Sequence, residues 1–304
     1  MAKAKSVFFC TECGNETPKW AGRCPSCGAW NTLVEQAVGD GAKAKTGGRS
    51  RALRAKAHPI AELDTAQEIR FPTGMGELDR VLGGGAVQGS LVLVGGAPGI
   101  GKSTLSLQLA LKAAGLKTLY VSGEESPHQI KMRAERIGIV NEACYIYSET
   151  NLENIITQIT QHGPDLVVID SIQTIYTETI DSSPGSVSQI RESAALLQKY
   201  AKQTGTSIIV IGHITKDGII AGPKILEHIV DVVLQFEGDN NNIYRILRSI
   251  KNRFGATFEI GVFEMRGEGL IEVDNPSEIL LSHYDEPLSG IAVGAAVDGA
   301  RSYL

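Results

Sequence analysis

The segment SLVLVGGAPGIGKST, residues 90–104, constrains the fold more than any other stretch of this chain. An apolar run of strand composition leads into Gly96-x4-Gly101-Lys102-Ser103, and an amphipathic stretch, LSLQLALKAAG, follows it. Strand, glycine-rich loop and helix in this order make a phosphate-binding loop. Glycines free the backbone to wrap phosphate oxygens with N–H groups at a helix N-terminus, where the dipole favours negative charge. Lys102 is placed to reach the β and γ phosphates, and Ser103 to supply a Mg²⁺ ligand. The residues expected to line the substrate ATP are Gly96, Ala97, Pro98, Gly99, Ile100, Gly101, Lys102, Ser103 and Thr104.

Binding a phosphate is not hydrolysing it, so other groups are needed. The apolar run KTLYVSG ends in Glu124-Glu125, where a carboxylate could polarise the attacking water; Glu124 is favoured, and Glu125 either supports it or points away. DLVVIDS carries Asp170, the expected acidic partner of Mg²⁺, and SIIVIGHI carries His213, able to sense the γ-phosphate. Each residue alone reads equally as a surface acid or a satisfied histidine. Together they stand at the ends of three apolar strands, where open α/β sheets bind ligands. Helical stretches PHQIKMRAERIG, NLENIITQITQHG and SVSQIRESAALLQKYAKQTG separate the strands, with Pro127 in a first turn. The expectation is an α/β ATPase core: a mostly parallel sheet with helices on both faces. From residue 231, DVVLQFEG, IYRILRSIKNR and ATFEIGVFEMRGEGLIEV predict antiparallel strands closing one edge. Cys144 reads as a buried strand residue.

Four of the five cysteines fall in CTECGNETPKWAGRCPSCG, as Cys10-x2-Cys13 and Cys24-x2-Cys27. Two residues between thiolates let one turn present both sulfurs to one ion, and two such turns complete the tetrahedron that Zn²⁺ accepts. A redox dithiol would need only one pair. Gly14 and Gly28 follow the two turns, where positive φ is often required. So small a module needs the metal to fold, and both tryptophans, Trp20 and Trp30, are expected in its small core rather than as base-stacking platforms. Of the net charge of −5, residues 1–35 contribute +1 and residues 36–57 contribute +5, so residues 58–304 carry −11. The basic Ala/Gly-rich stretch reads as a flexible tether. An acidic main body is no general DNA-coating surface, so nucleic-acid contacts must come from local basic loops. No apolar run approaches the roughly 20 residues of a membrane helix, and MAKAKSVFFC is too short a stretch for a signal peptide, so no membrane association and a cytoplasmic location are expected.

In SIKNRFG, Lys251 and Arg253 are two apart, which on a strand aims both cations to one side, toward an anion or simply toward solvent. Taken with TGMGELDRVLGGGAVQGSLVLVGGAPGIGKST, the four-cysteine module, GEES, VIDSIQT, GHITKDG and KNRFG, the chain resembles the RecA-like ATPases and, within them, the RadA (Sms) family of bacterial DNA repair proteins. The resemblance covers Cys10 to about Ser289. It implies a homo-oligomeric, hexameric ring helicase that hydrolyses ATP on single-stranded DNA, acts on branched recombination intermediates and promotes branch migration with the RecA recombinase. It implies that Lys251 and Arg253 reach the nucleotide of a neighbouring subunit. It implies two DNA loops, about 172–187 and 214–224, with Lys216 and Lys224 of the second on phosphates and no residue assigned in the first. It also implies that residues 290–304 open a carboxyl-terminal domain like that of Lon protease, cut short here, which puts stable hexamers in doubt. The expected domains are thus 1–35 (zinc module), 36–57 (linker), 58–289 (RecA-like ATPase) and 290–304. Two other readings stand beside the helicase: a nucleotide-dependent assembly switch that recruits partners without unwinding, and a filament-forming strand-exchange recombinase.

Overall fold

The computed structural model describes residues 5–10, 16–26, 28–38, 68–213, 225–238, 243–275, 296–298 and 301–303. Cys13, Gly14, Cys27, the tether from residue 39, Lys216 and Lys224 lie outside the described residues. The amino-terminal strands are β1 (Lys5–Cys10), β2 (Glu16–Thr17) and β3 (Leu33–Val38), which form one antiparallel sheet with β1 in the middle. A short pair, β4 (Arg70–Phe71) and β5 (Ala86–Val87), brackets helix α1 (Gly76–Leu82).

The main sheet is built from β6 (Leu91–Gly96), β7 (Thr118–Ser122), β8 (Cys144–Ser148), β9 (Leu166–Asp170), β10 (Ser207–His213), β11 (Val232–Glu237), β12 (Tyr244–Asn252), β13 (Ile260–Arg266) and β14 (Gly269–Glu272). Its order is β14-β13-β12-β11-β6-β10-β9-β7-β8. All strands from β11 to β8 run parallel, and β12, β13 and β14 add on antiparallel. The crossovers are α2 (Lys102–Lys112), α3 (Pro127–Ile137), α4 (Leu152–His162), α5 (Val187–Thr204) and the short α6 (Ile225–Ile229). A last hairpin joins β15 (Ala296–Asp298) to β16 (Arg301–Tyr303).

Side chains alternate along the central strands, and each set meets its own helices. Leu91 and Leu93 of β6 join Val167, Ile169, Ile208 and Val210 beneath α4, α5 and α6. Val92 and Val94 face the other way, onto Leu78 and Val81 of α1 and Leu105 and Leu109 of α2. Both faces are covered, so β6, β7 and β9 are buried along their whole length. Local chemistry sets the helix ends. Ser126 caps α3 in a reciprocal box with Gln129, with Pro127 at the first turn, and Asn151 and Ser186 cap α4 and α5.

Four expectations change. Residues 36–38, expected at the start of the tether 36–57, continue strand β3, where they pair with residues 5–7 of β1. The strand β11 is not antiparallel to its inner neighbour: it runs parallel to β6, because the connection from His213 to Val232 is long enough for a crossover. Cys144, on the edge strand β8, is only partly buried. Trp20 and Trp30 do not fill the module's core; they are 59% and 69% exposed. Cys10, Cys24 and Leu33, with Phe8 and Ala21 against them, occupy that space, and Arg23 lies over the outward-facing Trp30 ring. Leu93→Ala, at a fully buried position of the central strand, should lower the unfolding free energy by about 2–5 kcal/mol, read from denaturant titration.

Candidate nucleotide site

The parallel strands finish on one edge of the sheet, and their register sets how the functional residues line up. His213 ends β10 opposite Gly96 of β6, and Asp170 ends β9 opposite Ser122 of β7. Glu124 and Glu125 follow two and three residues after Ser122. Four strand ends therefore meet along the mouth of the glycine-rich loop. The structure brings Lys102, Asp170 and Glu124 together there, with the backbone of His213 beside them.

The loop runs from Gly96 into α2. Gly101 sits at φ 112°, in the left-handed region, and a Cβ on it would lie 2.5 Å from Met265 Cε. Ala97, Pro98 and Gly99 are exposed, whereas Ser103 and Thr104 are half-buried at the start of α2. The Lys102 ammonium is folded back, donating to the carbonyls of Gly96 and Ala97 at 2.8 Å each. Burial lowers its pKa, opposed by the carboxylates of Asp170 and Glu124. A buried ammonium with carbonyl partners and two nearby acids fits a polyphosphate, which would offer it far stronger counter-charge. Arg245 of β12, itself buried, donates from Nε to the carbonyl of Ile100 at 3.1 Å and so ties the loop to the antiparallel extension.

The two glutamates have different surroundings. Glu124 accepts the Ser171 hydroxyl at 2.7 Å and is one of the two carboxylates whose field reaches Lys102. Glu125 pairs with Arg133 of α3, so its carboxylate serves to fix that helix. Ser122 Oγ accepts the backbone N–H groups of both, at 3.3 and 3.0 Å, which holds the turn after β7. Gly123 allows that turn: a Cβ there would stand 2.1 Å from Thr174 Oγ1. Asp170 is buried and accepts the Tyr120 hydroxyl at 2.8 Å. Burial, then the Asp170 charge, holds the Tyr120 phenol well above its ordinary pKa, so it stays a donor. With Ser103, Asp170 is a hard-oxygen set of the kind that holds Mg²⁺. Sequence reading missed Ser122, Ser171, Tyr120, Arg133 and Arg245; Ser171 stands in VIDSIQT, where Asp170 drew the attention, and nothing in the residue pattern marked the other four.

Lys251 and Arg253 are not in this cluster. Lys251 donates to the carbonyls of Glu227 and Val230, at 2.5 and 2.7 Å, and Arg253 pairs with buried Asp231 at 3.0 Å. Burial and then the adjacent Arg253 lower the Lys251 pKa.

Residues 57–218 match the family described as AAA domain, and residues 8–35 match the rubredoxin metal binding domain. A KaiC-like protein of Pyrococcus horikoshii shares the fold at TM-score 0.56 and 22% identity, over 68% of this chain and 99% of that one. The DNA repair protein RadA of Bacillus subtilis is 51% identical over 100% of this chain and 67% of its own length; that of Rickettsia felis is 52% identical over 100% and 68%. The chain belongs to the RadA family of DNA repair proteins. RadA membership makes it a RecA-like ATPase with an amino-terminal zinc ribbon.

The two described ribbon cysteines suit a metal. Cys10 and Cys24 are 0% and 2% exposed, Gly28 at φ 76° donates its N–H back to the Cys24 carbonyl at 3.0 Å, and Cys10 Sγ lies 3.1 Å from Thr32 Oγ1. With Cys13 and Cys27 they would hold Zn²⁺, which would supply folding free energy to a core of very few apolar side chains. Stripping the metal with a strong chelator should unfold the ribbon and leave the helical circular dichroism of the ATPase core; exchange protection persisting at Cys10 and Cys24 without metal would refute this. A second expectation separates the glutamates. Glu124→Gln should cut ATP turnover about 10²-fold or more with nucleotide affinity little changed, while Glu125→Gln should chiefly lower the melting temperature.

Proposed function

We propose that this RadA-family chain is the motor of a homo-oligomeric ring, a hexamer in its working form, that hydrolyses ATP while translocating on single-stranded DNA. In this reading Lys102 holds the β and γ phosphates, Ser103 and Asp170 hold Mg²⁺, Glu124 orients and activates the water, and His213 reads the γ-phosphate. The loop containing Lys216 and Lys224 follows β10 directly and would track the DNA backbone through phosphate contacts rather than base reading. Branched recombination intermediates are the substrates, RecA recombinase the partner, and the cytoplasm the compartment. No helix among the described residues is long and apolar enough to cross a membrane.

The observation that carries the ring is the position of the cation pair. Strand β12 is antiparallel to β11, which is parallel to β6, so β12 ends where β6 begins. Lys251 lies level with Val233 and through it with Leu93, and Arg253 bonds to Asp231, whose other oxygen accepts the N–H of Leu91. The phosphate loop leaves the opposite end of β6, after Gly96. The pair is therefore at least about 10 Å down the strand from its own loop and two strands away. These cations cannot serve the phosphates that their own Lys102 holds. A head-to-tail assembly would bring them to a neighbour's γ-phosphate, where a cation supplied in trans accelerates hydrolysis by about 10³ to 10⁵.

Mixing Lys102→Ala with Arg253→Ala tests the shared pocket. Neither variant alone should turn over ATP well, and the mixture should exceed both, because some interfaces then combine an intact loop with an intact cation pair. A mixture no better than its components would exclude contribution in trans. Single-stranded DNA should stimulate turnover, and a forked duplex should open. Stimulation without opening would favour the partner-recruiting switch, and helical arrays on DNA in micrographs would favour a strand-exchange filament.

A further inference from the structure

The mechanism leaves the buried hydroxyl of Tyr120 unexplained. Tyr120 lies in the middle of β7 and is 0% exposed. Its ring is packed by Leu107, Ala110 and Leu111 of α2, Ile130 of α3 and Val168 of β9. A phenylalanine would satisfy that packing equally well, and a phenol buried this deeply needs a partner for its hydroxyl. The partner is Asp170 Oδ2, at 2.8 Å. Register explains the reach: Tyr120 stands opposite Val168, and Asp170 is the next residue of β9 on the same face, a diagonal neighbour that an aromatic side chain can touch. The charges of the Glu125–Arg133 pair both act on Tyr120.

We infer that Tyr120 is a positioning residue for Mg²⁺: its hydroxyl takes one oxygen of Asp170 and fixes the rotation at which the carboxylate meets the ion. The inference rests on the reading of Asp170 as a Mg²⁺ residue. Asp170 is 4% exposed, so water cannot freely supply the missing donor if the phenol is removed. Without it the carboxylate has two competing cations to turn toward, the Lys102 ammonium and the metal, and nothing from β7 to hold it between them. Tyr120 touches neither nucleotide nor ion. Its effect passes through Asp170, as hydrogen-bond partners of metal ligands generally act.

The experiment uses the full zinc-loaded chain and a fluorescent ATP analogue, with binding measured in chelator-free buffer without Mg²⁺ and across a Mg²⁺ titration. Tyr120→Phe keeps the ring, and Tyr120→Met offers a second apolar filling should the first pack poorly; melting curves qualify each. The expected result is nucleotide binding without Mg²⁺ within about twofold of the parent and a Mg²⁺ half-saturation raised about tenfold. In an Asp170→Asn background, Tyr120→Phe should shift nothing further, which a merely structural role would not reproduce. A folded Tyr120 variant with unchanged Mg²⁺ dependence, or one whose shift persists in Asp170→Asn, overturns the inference. If Asp170→Asn alone leaves the Mg²⁺ dependence intact, the reading of Asp170 fails instead.

Discussion

The site is organised by one buried positive charge. Lys102 sits at the first position of α2, 4% exposed, under a loop whose Gly96 and Ala97 carbonyls accept its hydrogen bonds. An ammonium in that position is costly unless strong negative charge is close, and Asp170 and Glu124 are brought near by the ends of neighbouring strands. Those strands reach the same edge because they are parallel, and they are parallel because crossovers, most of them helical, return the chain to the same end each time, which also covers both faces of the sheet. Register, crossover and loop are thus parts of one arrangement. It keeps a cation ready for a ligand more highly charged than the carboxylates that hold its place.

The amino-terminal ribbon obeys a different physics. Among the described residues its buried apolar content is Cys10, Cys24 and Leu33 with Phe8 and Ala21, too little to offset the entropy of ordering the chain. With Zn²⁺ bound, the cysteines would hold the module through coordination more than through packing. A core centred on a metal would have no room for two indoles, which fits the exposure of Trp20 and Trp30. Arg23 uses the exposed Trp30 face and also donates to the Gly28 carbonyl at 2.8 Å, bracing the second cysteine turn from outside.

What the sequence made legible was whatever is local in the chain. The phosphate loop lies within ten residues, and each strand that ends in a functional group shows its buried run, so fold class and the Lys102, Asp170 and Glu124 constellation could be read directly. The sequence favoured Glu124 over Glu125, but the different surroundings of the two could not be read there, because they depend on Ser171, 47 residues from Glu124, and on Arg133 of the following helix. Tyr120 was hidden by its own composition: within TLYVS it reads as one more apolar strand residue. The direction of β11 was hidden because strand composition does not encode direction; only the crossover path does. The tryptophans misled because aromatic residues usually mark a core, a rule that weakens when a metal is the core.

Strand β12 has two ends with different tasks. Near its start, Arg245 grips the carbonyl of Ile100 in the chain's own glycine-rich loop; near its finish, Lys251 and then Arg253 project from the far end of the sheet. From Arg245 to Lys251 is a span of about 20 Å of strand, paired with β13 as far as Arg248 and with β11 on its other side, where the register shifts between Ser249 and Lys251. Extended backbone held in a sheet does not stretch or buckle as a loop would. In a closed assembly each β12 would act as a stiff rod between adjacent pockets, so that a push received at one is delivered to the next with little lost on the way.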